Sequence, residues 1–74
     1  MRDFEELFDK VKPIVMKLRR NYFVQLWEYD DWIQEGRIVL FRLLEEHPYL
    51  LDNESKLFIY FKTKFSNYLN DVLR

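Results

Sequence analysis

Residues 30–48 combine a helix start, a helix stop and an apolar stripe at helical spacing, and no other segment constrains the fold as strongly. Asp30 or Asp31 can cap the N-terminus, because a short carboxylate accepts hydrogen bonds from the free N–H groups of the first turn. Pro48 disfavours helical backbone at the residue before it, so the helix is expected to end near His47. The apolar residues in between predict one buried stripe, made of Trp32, Ile33, Gly36, Val39, Leu40, Leu43 and Leu44.

The opposite face of this helix mixes acidic residues with two large apolar side chains. Its members are Asp31, Gln34, Glu35, Ile38, Phe41, Arg42 and Glu45. A face that meets only solvent would not usually expose both Ile38 and Phe41, because exposed apolar patches tend to mark interaction sites. The pattern therefore indicates a docking surface.

Two further helices are expected, one on each side of this segment. Residues 3–21 keep a helical stripe with Pro13 inside it, which predicts a kink or a division into two short helices. A third helix is expected from about Glu54 to the end of the chain, about 30 Å long at ~1.5 Å per residue. The first stripe is Phe4, Leu7, Phe8, Val11, Ile14, Val15 and Leu18; the third is Leu57, Phe58, Phe61, Phe65, Tyr68 or Leu69, and Val72.

The two connections between the helices are also partly predictable. Trp27 is expected to pack under the turn into the second helix, and Asp52 and Asn53 are cap residues for the third. The three apolar residues after Pro48 are expected to fold against the core: Tyr49, Leu50 and Leu51.

These patterns predict an all-α protein, a compact three- to four-helix bundle that occupies residues 1–74 as one domain. The chain holds one glycine, so no strand alternation competes with the helical periodicity. A chain this short needs dense packing. The composition, 49% hydrophobic and 19% aromatic, can supply it.

The residues needed for most catalytic and metal sites are missing from the sequence. There is no cysteine and one histidine, His47. Glu45 and Glu46 precede His47, but neither stands three residues before it, as a pair of metal ligands in a helical bundle would. No nucleophile triad or glycine-rich phosphate loop is visible, so we expect no enzyme, no metal and no cofactor.

No run approaches the roughly 20 apolar residues that span a membrane. The N-terminal residues include Asp3, Glu5 and Glu6, unlike a secretory signal. The sequence therefore predicts a cytoplasmic protein without membrane contact.

Charge is distributed unevenly along the chain, although its net value is −1. Residues 28–54 hold eight acids and two bases, whereas residues 55–74 hold four bases and one acid. An acidic middle between basic flanks suggests a basic protein surface as partner for the middle and a polyanion for the last helix.

The polar face of the third helix fits two interpretations about equally, a nucleic-acid contact and an ordinary solvent-exposed surface. Bases, amides, hydroxyls and an aromatic ring on one face are the groups used for phosphate contact and base stacking. The face comprises Tyr60, Lys62, Thr63, Lys64, Ser66, Asn67, Asn70 and Arg74. In the first helix, Lys17, Arg19 and Arg20 either complement the helix dipole or contact a nucleic-acid backbone.

The run Asp31-Trp32-Ile33-Gln34-Glu35-Gly36 and the residues up to Leu40 resemble a known signature. It is the Asp-Leu-Ile-Gln-Glu-Gly-x-Ile-Gly-Leu motif of sigma factor region 2.2. Residues 11–22 look like region 2.1, and residues 58–74 look like regions 2.3 and 2.4. The resemblance covers the whole chain, and in detail it points to the competence-specific alternative sigma factors of streptococci.

The resemblance implies that the second helix docks on the clamp coiled coil of the β′ subunit of core RNA polymerase. The matching positions are Asp31, Gln34, Glu35, Arg37, Ile38 and Phe41. Charge complementarity between an acidic helix and that surface would steer docking.

The resemblance also implies that the third helix recognises the promoter −10 element. The candidates are Tyr60, Lys62, Lys64, Asn67, Tyr68, Asp71 and Arg74. Where the family has paired tryptophans, this chain has Lys64 and Phe65, which leaves Tyr60 and the loop before this helix as candidates for strand separation. The family's C-terminal DNA-binding domain, region 4, is not part of this sequence.

A different class of function fits the same helices. A small helical interaction module, bound by an adaptor or an anti-sigma regulator and without a DNA role, would show similar patterns. Binding to the β′ clamp distinguishes the two hypotheses.

Overall fold

Three α-helices and one short 3₁₀ helix form the computed structural model, which describes residues 3–22, 24 and 26–73. The helices are α1 (Phe4–Asn21), α2 (Tyr29–Glu46) and α3 (Glu54–Val72), and the 3₁₀ helix Pro48–Asp52 joins α2 to α3. No strand occurs in these ranges. The predicted all-α bundle is confirmed, with three α-helices.

α1 is one continuous helix with Pro13 inside it. Of the two predicted alternatives, a kink or two short helices, the division into two helices is wrong. Its N-terminus is capped by Asp3, whose carboxylate accepts a hydrogen bond from the Glu5 N–H at 3.3 Å. Pro13 itself is exposed, while Val11 and Val15 on either side are fully buried. This buried packing holds the helix together across the hydrogen bond that proline cannot donate.

α2 begins at Tyr29, with Glu28 rather than Asp30 or Asp31 as the capping residue. Asp31 stabilises the same end from the third helical position, because its carboxylate accepts the Glu28 N–H at 2.8 Å in a capping box. The helix ends at Glu46, just before His47 and Pro48, as predicted.

The connection to α3 contributes one residue to the core, not three. Leu50 is fully buried, but Tyr49 and Leu51 are 51% and 37% exposed. A tight 3₁₀ turn directs only one of three consecutive side chains inward, which corrects the prediction. Asn53 then caps α3 by accepting the Lys56 N–H at 3.1 Å.

The core follows the predicted stripes closely. At the end of α3, Leu69 fills the buried position and Tyr68 lies at its edge, whereas Val72 is exposed, contrary to prediction, in the last turn of the helix. The buried hydrophobic residues among those described are Leu7, Phe8, Val11, Val15, Leu18, Trp32, Val39, Leu40, Leu43, Leu50, Leu57, Phe61, Phe65 and Leu69.

Ion pairs at the surface connect every pair of helices. Arg37 of α2 pairs with Glu5 of α1 at 2.8 Å, and Lys64 of α3 pairs with Glu46 of α2 at 2.7 Å. Lys10 of α1 pairs with Glu54 of α3. The Cα radius of gyration of 11.9 Å is near the roughly 11 Å expected for a compact chain of this length.

Candidate functional site

The outward surface of α2, here called the α2 face, consists of Gln34, Ile38 and Phe41. Helical spacing places these residues opposite the buried Gly36. Ile38 is 37% exposed and Phe41 is 56% exposed. Among the described residues, the Phe41 ring contacts the Phe4 ring, in an edge-to-face arrangement at 6.5 Å. The predicted accessible apolar pair is therefore present on this helix.

A shallow cavity of about 320 Å³ adjoins the α2 face on its α1 side. Its lining combines two aromatic rings with charged side chains: Phe4, Arg37, Ile38, Phe41, Arg42 and Glu45. An apolar anchor from a partner could enter between the rings, while the charged rim remains in water.

The other three predicted polymerase contacts take part in the fold itself. Asp31 belongs to the capping box of α2. Glu35 points toward α3 and accepts a hydrogen bond from the Tyr68 hydroxyl at 2.9 Å. Arg37 points toward α1, where it pairs with Glu5 and lies 4.9 Å from the centre of the Phe8 ring.

A groove of about 540 Å³ between α2 and α3 brings the two predicted sets of site residues together. We call it the α2–α3 groove; it is lined by Glu35, Ile38, Val39, Arg42, Lys64, Asn67, Tyr68 and Asp71. The groove carries both signs of charge. Near it, the hydrogen bond and the charge of Lys64 lower the pKa of Glu46.

Contacts within the domain hold the Tyr68 side chain in place, so its ring is not free to stack on a nucleic-acid base. Its ring lies 6.2 Å from Trp27 and 6.4 Å from Phe65. Burial, together with the hydrogen bond to Glu35 and the charge of that carboxylate, raises the pKa of Tyr68. The expectation that Trp27 packs at this turn is confirmed, since its ring also meets Trp32 at 5.0 Å.

Tyr60 lies in an aromatic cluster that the sequence reasoning missed. The His47 ring is 5.8 Å from both Tyr49 and Tyr60, in edge-to-face geometry. A hydrogen bond with Tyr60 raises the pKa of Tyr49. The 37% exposed Tyr60 also borders a cavity of about 350 Å³ that includes His47, Thr63, Lys64 and Asn67. The sequence feature that could have indicated this cluster is Pro48. It follows the end of α2, where the His47 ring contacts Tyr60 of α3.

The structure separates Lys62 from the other DNA candidates. Lys64 reaches toward α2, whereas Lys62 lines a different cavity with α1 residues that include Lys17. The remaining candidate, Arg74, lies outside the described residues.

The basic residues of α1 lie on two sides of the helix. Lys17 lines the cavity that includes Lys62, whereas Lys12 and Arg19 face the Tyr29 ring. The Arg19 guanidinium and the Lys12 ammonium lie 5.7 Å and 6.0 Å from the centre of the Tyr29 ring. Arg19 and Arg20 lie in the last turn of α1, where the predicted interaction with the helix dipole applies, and Arg19 also has this cation–π contact with α2.

Within the described part of the chain, no group of three or more His, Cys, Asp or Glu side chains is arranged to hold a metal ion. None of the described helices has the length and apolar character needed to cross a membrane.

Comparisons with protein-family models, with curated proteins and with solved structures find no match to this chain. The resemblance to sigma region 2 therefore rests on the sequence alone, on the motif in α2 and on the likeness of residues 11–22 and 58–74.

Proposed function

We propose that this chain is the region 2 domain of a sigma factor. It binds core RNA polymerase, through the β′ clamp, with α2 and the promoter −10 element with α3, in the cytoplasm and without catalysis of its own. The observation that carries the proposal is the exposed pair Ile38 and Phe41 beside Gln34. This pair lies on the helix that holds the Gln34-Glu35-Gly36 motif.

Exposed apolar anchors explain binding better than the acidic residues do. Apolar and aromatic side chains near the centre of an interface supply most of its affinity, while charges at the rim mainly steer association. Glu35 and Arg37 already have partners within the domain. Their charges therefore act on docking by attracting the polymerase surface from a distance and by fixing how α2 is aligned on it.

The DNA part of the proposal rests on Tyr60, Lys64 and Asn67. These residues border one cavity beside the 3₁₀ connection. There the exposed Tyr60 ring can stack on a base, and Lys64 can hold the backbone in exchange for its ion pair with Glu46. Phe65 is fully buried, so it cannot act as a wedge between strands. Tyr60 is therefore the residue assigned to base stacking.

Binding to an isolated β′ clamp coiled coil tests the polymerase contact. The double variant Ile38→Ala/Phe41→Ala should weaken the complex by about tenfold or more, because it removes two anchors. Leu51→Ala is the matched control, since Leu51 is also 37% exposed but lies on the 3₁₀ helix. Unchanged affinity of the double variant, with native helix content in circular dichroism, would sink the proposal.

Alanine at Asp31 or Glu35 is less informative in this experiment. Asp31→Ala removes half of the capping box, and Glu35→Ala removes the acceptor of the Tyr68 hydroxyl. Either change alters the fold as well as the surface, so a loss of binding would not identify a contact.

A single-stranded oligonucleotide of −10 sequence tests the DNA contact. Affinity should fall as salt increases, because phosphate neutralisation releases counterions. Tyr60→Ala should weaken binding by about 1–3 kcal/mol, the usual loss for one stacked base. Salt-independent binding, or equal binding by the variant, contradicts the DNA assignment.

The alternative, a protein-interaction module without a DNA role, is favoured by one observation. Lys64 and Tyr68 are engaged by Glu46 and Glu35, and Lys62 faces another side, so few DNA candidates are both free and adjacent. Clamp binding without any oligonucleotide binding would support this second function.

A further inference from the structure

A second groove lies between α1 and α3, and none of its lining residues comes from α2. We call it the α1–α3 groove; its volume is about 300 Å³. Four apolar side chains line it, Ile14 and Leu18 from α1 and Phe58 and Ile59 from α3. Lys17 and Lys62 also line it, one from each helix.

The apolar part of this groove is partly open to solvent. Ile59 is 62% exposed, more than any other large hydrophobic residue on the described helices. Ile14 and Phe58 are partly buried against the core, so their outer surfaces form the floor beside Ile59. When a partner covers apolar surface in a concavity, that surface is removed from water, which stabilises the complex.

Both lysines of the groove belong to the described cations that make no ion pair, as Lys56 also does. Lys10, Arg37 and Lys64 each pair with a carboxylate of a neighbouring helix. Lys17 and Lys62 have no carboxylate partner in the contacts of residues 3–22, 24 and 26–73. The groove therefore combines an apolar floor with positive charge that the domain itself does not neutralise.

We propose that the α1–α3 groove docks a short acidic amphipathic helix of a partner protein. Aliphatic side chains of that helix pack against Ile14 and Ile59, and its flanking carboxylates pair with Lys17 and Lys62. An amphipathic helix places its anchors about one turn apart, which suits a groove between two helices. This inference does not depend on polymerase binding, because the groove shares no residue with the α2 face. It contains Lys62 of the predicted promoter set, but none of Tyr60, Lys64 and Asn67, on which the proposed DNA contact rests.

A nucleic acid suits this groove less well than an acidic helix. Base stacking requires an exposed aromatic ring, but the most exposed apolar side chain here is Ile59, and the one aromatic residue of the lining, Phe58, is partly buried. The aliphatic lining favours aliphatic partners, and the two lysines favour carboxylates.

The test uses the 74-residue chain and a synthetic helix of about 15 residues, with leucine at one-turn spacing and glutamate beside it. We expect amide NMR shifts at Leu18, Ile59 and Lys62. Lys62→Glu should weaken binding about fivefold or more, because an attraction becomes a repulsion. Ile59→Ala should also weaken it, through lost apolar contact.

Lys56→Glu provides the matched control. Lys56 is an exposed lysine of the same helix outside the groove, so its reversal changes the net charge equally. Affinity within about twofold of the parent chain is expected for this control, as for a remote surface charge screened by salt.

Four outcomes would overturn the inference. These are no binding at millimolar peptide, equal losses for Lys56→Glu and Lys62→Glu, equal affinity for a scrambled peptide, and displacement of the peptide by a single-stranded oligonucleotide. Groove shifts that depend on protein concentration alone would assign the groove to a second copy of the chain instead. Ile38→Ala/Phe41→Ala should leave peptide binding unchanged, so this result is independent of the polymerase test.

Discussion

At the scale of single residues, Gly36 sets how closely α1 and α2 approach. A Cβ atom at this position would lie 2.9 Å from Val15 Cγ2 and 3.2 Å from Phe8 Cε1. Real Cβ atoms essentially never come as close as the first distance. The glycine of the α2 motif therefore has a packing role that is independent of any partner.

Gly36→Ala should lower the free energy of unfolding by about 1 kcal/mol. Alanine gains about 1 kcal/mol in helix propensity, but overpacking costs about 1–3 kcal/mol. Urea denaturation followed by circular dichroism measures the change. In the double variant with Val15→Ala, the combined loss should be smaller than the sum of the single losses, because the second change removes the clashing methyl group. A more stable Gly36→Ala variant would contradict this account of the α1–α2 contact.

Tyr68 predicts a specific dependence of stability on pH. Its pKa is raised from the usual value near 10, so the folded state favours the protonated hydroxyl. The stabilisation is fully present below the unfolded pKa and is lost as pH rises through the folded pKa. Tyr68→Phe should lower the free energy of unfolding by about 1 kcal/mol at neutral pH, with a difference that shrinks above about pH 10.

Urea denaturation at several pH values measures this dependence. Tyr29→Phe is the control, because Tyr29 is exposed and its described contacts are made by the ring. A loss at Tyr68 that stays constant up to strongly alkaline pH would mean that its hydroxyl does not bind Glu35 in solution.

At the scale of elements, the N-terminus of α2 depends on one reciprocal pair of residues. Asp31 accepts the Glu28 N–H, whereas Asp30 is exposed in the same first turn. Both carboxylates interact favourably with the helix dipole, but only Asp31 belongs to the capping box.

Asp31→Ala should therefore cost about 1 kcal/mol more stability than Asp30→Ala, which removes the same charge from the same turn. The midpoints of urea denaturation measure the difference. Equal losses would show that the charge matters and the hydrogen bond does not.

At the scale of the whole molecule, buried aromatic packing outweighs the surface ion pairs. Exposed pairs contribute about 0–1 kcal/mol each. Phe65 is fully buried and its ring lies 5.7 Å from Phe61 and 5.9 Å from Trp32. The aromatic core thus joins α2 to α3, while the ion pairs help to orient the helices relative to one another.

The same substitution at two phenylalanines tests this balance. Phe65→Leu should lower the free energy of unfolding by about 1–3 kcal/mol, because it leaves unfilled space in the core. Phe41→Leu, on the exposed α2 face, should change it by less than about 0.5 kcal/mol. Thermal unfolding followed by circular dichroism compares them, and similar losses would mean that Phe41 belongs to the core.

Much of the candidate site was predictable because helical periodicity alone separates the two faces of α2. Ile38 and Phe41 fall opposite Gly36 in any packing that buries the stripe. The side chains of Glu35, Arg37, Lys62 and Lys64 were not predictable in the same way. Each lies near the border of a helix face. The partners of Glu35, Arg37 and Lys64 belong to other helices, and Lys62 lines a groove with residues of α1.

The sequence by itself determined the three helices, their buried stripes and the exposed apolar pair on α2, because these follow from spacing within one helix. Only the tertiary structure decided that Glu35 meets Tyr68, 33 residues away, and that Lys62 and Lys64 face different helices. Several rotations and crossing angles of three amphipathic helices would bury similar stripes. The contact of Gly36 with Val15 and Phe8, and the other long-range contacts of the core, belong to one of these arrangements.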